Sequence, residues 1–127
     1  MTNYITDCVS KDLEPIYRAE KLQQEAAKYG FDWVRSLHII KKIEEELHEV
    51  EAVLDDRIKL AEELGDLIFS CINLARYHQI DTKLVLQQTN NKFVKRLNYI
   101  EDSLKSKGKS LLDANLEEMD ALWNEAK

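Results

Sequence analysis

Residues 32–77 read DWVRSLHIIKKIEEELHEVEAVLDDRIKLAEELGDLIFSCINLARY. Two helical periods separated by one break decide the fold. Ile40, Ile43, Leu47, Val50 and Leu54 are spaced alternately by three and four residues, the seam of an amphipathic helix that starts near Asp32 to Ser36. Asp55-Asp56-Arg57 is too short for anything but a tight reversal. The period then resumes at Leu60, Leu64, Leu67, Cys71 and Leu74, which predicts a second helix from about Ile58 to Tyr77. Between Leu67 and Ala75 this helix is apolar on nearly every face, so it is central to the fold or lies at a subunit interface.

The pattern extends in both directions. Asp12 can cap a preceding helix with Pro15 in its first turn, where a missing N–H costs little. Ala19, Leu22, Ala26 and Tyr29 carry its period and Gly30 ends it. Downstream, residues 78–81 turn the chain, and Leu86, Phe93, Leu97, Ile100 and Leu104 mark a helix from about Thr82 to Lys105. Gly108 sits in a polar linker, and Leu116, Met119 and Trp123 give a short last helix. Short connections make consecutive helices antiparallel neighbours. The expected fold is all-α: an antiparallel helical bundle of four main helices plus a short C-terminal helix, as one domain over residues 1–127.

Composition agrees. One Pro and three Gly in 127 residues are too few for the turns of a sandwich or barrel. No apolar run has the length of a membrane span, and Met1 to Ser10 shows no secretory leader. Cys8 and Cys71 form no metal-like pair and read as reduced thiols, so the expected location is cytoplasmic, with no membrane partner. The net charge of −6 disfavours nucleic acid. That charge is unevenly placed. Lys41 to Asp66 holds ten acids and four bases, whereas Lys83 to Lys109 holds seven bases and two acids.

Some of those acids stand where a plain bundle would not put them. Ile39, Lys42, Glu46, Glu49 and Val53 form a second stripe beside the first seam, apolar at its ends and charged in its middle. Glu63, Asp66, Ser70, Asn73 and Tyr77 form a polar stripe beside the other. Carboxylates beside a core are costly unless paired or metal-bound. Folding the hairpin about Asp56 places Glu49 seven residues before the turn and Glu63 seven after, Glu46 ten before and Asp66 ten after. At 1.5 Å per residue all four meet roughly 10–15 Å from the turn. Four carboxylates in one layer need a counter-charge, and an all-oxygen set selects Mg²⁺ or Mn²⁺ before Zn²⁺. Gly65 would let another backbone approach there.

The next turn, near Gln79, matches Asp66 in height with Lys92 and brings Glu63 close to the level of Arg96. These two cations are four apart on one helical face. Asn90 interrupts the apolar seam and needs a ligand or a buried partner. Metal, two cations and an amide in one layer describe a polyphosphate site. The competing explanation is salt bridges between an acidic and a basic helix.

Other signals are weaker. Glu45-x-x-His48 resembles half of a di-iron motif, but that chemistry needs the motif twice, and His38 and His78 have no such partner. Trp33 and Trp123 read as packing residues rather than base-stackers, and Cys71 as a small core residue. No Gly-rich phosphate loop or nucleophilic triad is present.

Glu45-Glu46-Leu47-His48-Glu49 followed by Glu63-Leu64-Gly65-Asp66 matches the EExxE…ExxD pattern of the MazG-like all-α nucleotide pyrophosphohydrolases. The resemblance extends over about Pro15 to Lys127, through Gly30-Phe31-Asp32-Trp33, Asn73-Leu74-Ala75-Arg76, Asn90-Asn91-Lys92-Phe93 and Leu116-Glu117-Glu118-Met119. It implies Mg²⁺-dependent hydrolysis of nucleoside triphosphates to the monophosphate and pyrophosphate, in a homodimer. Glu46, Glu49, Glu63 and Asp66 then resemble the metal ligands, and Glu45 an acid standing behind them. Lys92 and Arg96 resemble the phosphate-binding pair and Asn90 the neighbouring amide. Trp123 and Lys127 resemble residues that close over the nucleotide. Longer members carry two such domains, and this chain resembles the second. A narrow-specificity relative (a dCTP or dUTP hydrolase, or a phosphoribosyl-ATP pyrophosphohydrolase) and a non-enzymatic helical adaptor that binds nucleotides are the alternative readings.

Overall fold

The computed structural model describes residues 3–127. Five α-helices follow one another: α1 (Pro15–Lys28), α2 (Ser36–Ala52), α3 (Arg57–Tyr77), α4 (Thr82–Lys105) and α5 (Leu116–Ala126). Short 3-10 turns precede α1 at Ile5–Cys8 and α5 at Leu111–Asp113, and there is no strand among the described residues. The expected all-α architecture is present, with helix ends within a few residues of those read from periodicity. No helix among the described residues is long and apolar enough to cross a membrane.

Local chemistry sets the helix ends. Glu14, not Asp12, caps α1: its side chain accepts from the Ile16 N–H at 3.2 Å, with Pro15 following as the first helical residue. Asp12 lies two residues before that cap position. Gly30, at φ +85°, closes α1 in the left-handed conformation, while the Gly30 and Phe31 N–H groups donate to Ala27 and Ala26 carbonyls. Asp56 ends the reversal after α2 and caps α3 by accepting from the Lys59 N–H at 3.2 Å.

The chain forms two compact units, one through Lys83 and one from Leu84 to Lys127. In the first, α3 is the central element. The four-residue reversal at 53–56 makes α2 its antiparallel neighbour, and α1 packs on α3 rather than on α2. The reason lies in residues 29–35, which return along the end of α3 and are pinned there. Arg76 donates to both Asp32 carboxylate oxygens at 3.0 and 2.6 Å. Tyr77 donates its hydroxyl to the Val34 carbonyl, and Ser36 Oγ lies 2.7 Å from His78 Nε2. Asp32 is thereby held below the usual carboxylate range, chiefly by its bonds from Arg76.

Burial follows the most regular seam of α2 only in part. Ile39, Glu46 and Val50 are buried, whereas Ile40, Leu47 and Leu54 are 39, 46 and 61% exposed. With α3 as its neighbour in this unit, α2 turns Ile39 and Glu46 of the mixed stripe inward together with Val50 of the regular seam, and leaves Ile40, Leu47 and Leu54 outside. Leu64, Ile68 and Cys71 likewise lie exposed on α3, so Cys71 is not the core residue its seam position suggested. Gly65 also departs from expectation: nothing lies within 4 Å of where its Cβ would stand, so no backbone exploits it.

In the second unit, Ile100 and Leu104 of α4 and Leu122 of α5 form the buried centre, with Leu111, Ala114, Met119 and Trp123 around it. Trp123 of α5 packs on Phe93, which is still 55% exposed, and Leu86 at the other end of the α4 seam is 45% exposed.

The Asp32–Arg76 pair is two-pronged, and the guanidinium side chain is only 8% exposed. Replacing Asp32 by Ala removes the partner of a nearly buried cation. The variant should lose about 2 kcal/mol of stability in urea unfolding. An unchanged midpoint would show that the pair does not hold residues 29–35.

Candidate active site

The acids of α2 and α3 meet as the hairpin arithmetic places them. One oxygen each from Glu46, Glu63 and Asp66 lies within 4.8 Å of the others. Glu46 is buried, Glu63 half-buried and Asp66 exposed, so the group runs from the helix interface out to solvent. Equal distances from the reversal produced equal heights, and the inward rotation of the mixed α2 stripe brought Glu46 to face α3.

These groups are poorly satisfied by protein alone. Glu46 Oε2 and Glu63 Oε2 are buried and accept no hydrogen bond among the described residues. Such oxygens are expensive to desolvate without a partner. The cation in contact is Lys42, whose Nζ lies 3.1 Å from Glu46 Oε1 and 3.3 Å from Glu45 Oε1. Those bonds raise the Lys42 pKa. One ammonium thus serves two carboxylates on one edge and leaves the inner oxygens bare. Glu49 joins the group from one turn along α2. Its carboxyl is pushed up to about 7, first by hydrogen bonding with Glu63 and then by repulsion from Glu46 and Glu63. Crowded carboxylates raise one another's pKa in this way because a second negative charge at short range is disfavoured.

The donor set fits a hard divalent ion. Oxygen ligands lie about 2–2.5 Å from such an ion, so a set bound together is separated by no more than about 5 Å. Glu46, Glu63 and Asp66 meet that limit, and the two bare oxygens are the lone pairs an ion would use.

The other expected residues are distributed as follows. Glu45 is 58% exposed at its side chain and points to Lys42. Asn90 and Lys92 are exposed on α4, and Lys127 is exposed at the end of α5. Within the second unit the structure brings Arg96 and Trp123 together: the guanidinium carbon stands 5.2 Å from the indole ring centre, and Phe93 packs against the same ring at 5.7 Å. His48 lies on an exposed face, outside the core as expected, with Nδ1 2.7 Å from the Glu44 carbonyl of its own helix. Lys42 was named only as part of a stripe, although its i,i+3 and i,i+4 spacing to Glu45 and Glu46 was a signal for its role.

The chain is similar to known proteins over this region. Residues 35–100 match the model of the MazG nucleotide pyrophosphohydrolase domain, about half of the chain. The "Nucleoside triphosphate pyrophosphohydrolase" of Escherichia coli (strain K12) is 35% identical over 126 residues, covering 95% of this chain and 48% of that protein. The "Nucleoside triphosphate pyrophosphohydrolase/pyrophosphatase MazG" of Thermotoga maritima is 38% identical over 109 residues, covering 86% of this chain and 42% of its own length. "Uncharacterized protein YabN" of Bacillus subtilis (strain 168) is 47% identical over 68 residues. The chain spans about half the length of the first of these relatives, or less for the others.

Because the Glu49 carboxyl has a raised pKa in the folded state, folding takes up a proton as pH rises from about 4.5 to about 7. Its stabilising contribution is full below the ordinary carboxylate pKa and is lost as pH rises through about 7. Chelator-treated protein should therefore lose thermal stability across this window, and Glu49→Gln should flatten that dependence. A profile identical in the wild type and Glu49→Gln would contradict this arrangement of charges.

Proposed function

Because this chain belongs to the MazG nucleotide pyrophosphohydrolase domain family, we propose that it hydrolyses nucleoside triphosphates to the monophosphate and pyrophosphate. The observation that carries this reading is the convergence of Glu46, Glu63 and Asp66 with two buried, unpartnered carboxylate oxygens. An adaptor that kept its acids for structure alone would have no use for that arrangement, since salt bridges would have satisfied those oxygens.

In this reading Glu46, Glu49, Glu63 and Asp66 would hold Mg²⁺, or Mn²⁺ in its place. Such an ion acidifies water and draws charge from phosphoryl oxygens. Glu49 and Glu45 are the acids available to take the proton of the attacking water, and Glu49 is the one packed against Glu63. A new bond forms between the water oxygen and the α-phosphorus. The bond from that phosphorus to the oxygen bridging to the β-phosphate breaks, and pyrophosphate leaves. Lys92 and Arg96 neutralise the leaving group, and Asn90 adds an amide donor. Trp123 and Lys127 close over the nucleotide. Residues 1–127 act as a single catalytic domain in this account.

The products decide the cleavage site. With Mg²⁺, the wild type should release pyrophosphate and monophosphate, and Asp66→Asn should reduce turnover by more than about 100-fold, beyond what loss of an outer partner to a metal ligand costs. Release of orthophosphate and diphosphate would place attack at another phosphorus.

The same reading includes a homodimer. Ile40, Leu47 and Leu54 form a regular apolar seam facing outward on α2, and Leu64 and Ile68 are exposed on α3. A second copy would remove that surface from water. Light scattering after size exclusion should give twice the chain mass for the wild type and a shift toward the single chain for Leu47→Glu. A wild type at single-chain mass at micromolar concentration would reject the dimer.

A further inference from the structure

Arg18 of α1 is a half-buried cation without a partner. Its Nε is buried and makes no hydrogen bond among the described residues, and no described carboxylate forms an ion pair with it. A desolvated guanidinium N–H left bare is costly unless an acceptor reaches it. Acids are not in short supply, since the chain has 24 Asp and Glu against 18 Lys and Arg.

Two more cations stand beside it. Lys21 lies three residues further along α1, on the same side of the helix. Its Nζ is 5.1 Å from the centre of the Tyr17 ring, and the Nζ of Lys83, at the start of α4, is 5.8 Å from the same centre. Neither ammonium is ion-paired among the described residues. Lys21 donates to the neutral Gln24 oxygen at 3.3 Å. The ring holds the two lysines in place but carries no charge to neutralise them. Next to Lys83, the Thr82 hydroxyl oxygen is buried and also has no hydrogen-bond partner among the described residues. All of these groups belong to the first compact unit.

Tyr17 and Lys21 also form one wall of a cavity of about 370 Å³, bounded by residues 8–10, which is room for a small ligand. The other charged groups lining it, Glu25 and Lys28, pair with each other at 2.9 Å. Lys21 is therefore the charge in this cavity that awaits a partner.

Cations gathered without a counter-charge repel one another, and an anion removes that cost. The guanidinium fork matches the oxygens of a carboxylate or a phosphate. Three positive charges exceed what one carboxylate neutralises, whereas a phosphate group carries about −1.5 to −2 near pH 7. We propose that the surface of α1 around Tyr17 is a second anion site, which takes a phosphate-bearing molecule held by Arg18, Lys21 and Lys83. It stands apart from the acids. Lys83 follows the end of α3 at Tyr77 by one short turn, and Asp66 lies eleven residues before that end, about 16 Å along the helix axis. The site needs neither a metal ion nor the hydrolytic reading.

The test is isothermal titration calorimetry of the chelator-treated full chain with inorganic pyrophosphate, inorganic phosphate and a nucleoside monophosphate. The parent is a Lys92→Gln, Arg96→Gln variant, so that phosphate binding by those two cations does not contribute. The parent should bind pyrophosphate saturably. Adding Lys21→Gln and Lys83→Gln should weaken that binding by about tenfold or more, and adding Arg18→Gln alone should do the same. Unchanged circular dichroism shows that each variant is folded. Should Arg18→Gln not fold, the two lysine changes, at less buried positions, decide the outcome. A monophosphate that binds tighter than free phosphate, with the same lysine dependence, supports the site and assigns its ligand to nucleotides. Equal binding of the two, with that dependence, supports it and assigns the ligand to free phosphates. No saturable binding of any of the three probes, or binding unchanged in the folded Lys21→Gln, Lys83→Gln variant, would overturn the proposal. Nucleotide turnover by the wild type combined with either of those results removes this site and leaves the hydrolytic reading intact. Lysine-dependent binding without turnover does the opposite.

Discussion

The structure depends on one electrostatic constraint: carboxylates brought together at the boundary between two helices, with too little positive charge beside them. Glu46, Glu63 and Asp66 present oxygens within 4.8 Å of one another, and Lys42 is the cation in contact with the cluster. Two inner oxygens accept no hydrogen bond among the described residues, and the Glu49 carboxyl is pushed up to about 7 beside Glu63 and Glu46. A bundle selected for stability alone would place apolar side chains there, since like charges at short range in a partly dry site oppose folding. In the proposed reading, a divalent ion would relieve this unfavourable arrangement.

Much of the remaining architecture follows from meeting that constraint. To bring Glu46 inward, α2 presents its mixed stripe to α3 and leaves Ile40, Leu47 and Leu54 outside. To keep α3 central, residues 29–35 are tied to its end by the Asp32–Arg76 pair and the Tyr77 hydroxyl. Those ties also shape the cavity next to the acids, where Gln23 and Ser70 sit buried. Site, cavity and exposed apolar face are thus consequences of how α3 is surrounded.

The acid cluster was legible because a tight reversal converts sequence distance into height. With the turn centred at Asp56, Glu46 and Asp66 had to share a level, whichever way each helix was rotated. Rotation itself was not legible. The apolar seam and the mixed stripe of α2 lie side by side on the helix, and periodicity favours the more regular one. Burial depends on how many neighbours the helix has, which a single sequence does not reveal. Cys71 and Gly65 were misread for the same reason, since Cys71 is exposed and no described residue lies within 4 Å of where a Gly65 Cβ would stand. The cap at Glu14 was missed because an aspartate two residues earlier is the better cap by composition, while Pro15 dictates where the first turn begins. Lys92 and Arg96 could be read as a pair on one face of α4 and no further, because their relation to the acids is a matter of tertiary placement.

The most direct test of this account is a Mn²⁺ titration of chelator-stripped protein, followed by the loss of the free-ion electron paramagnetic resonance signal. The account predicts saturable binding by the wild type, displaced by excess Mg²⁺ and lost in a folded Glu46→Gln, Asp66→Asn double variant. Equal Mn²⁺ uptake by that variant, or none by the wild type, would contradict it.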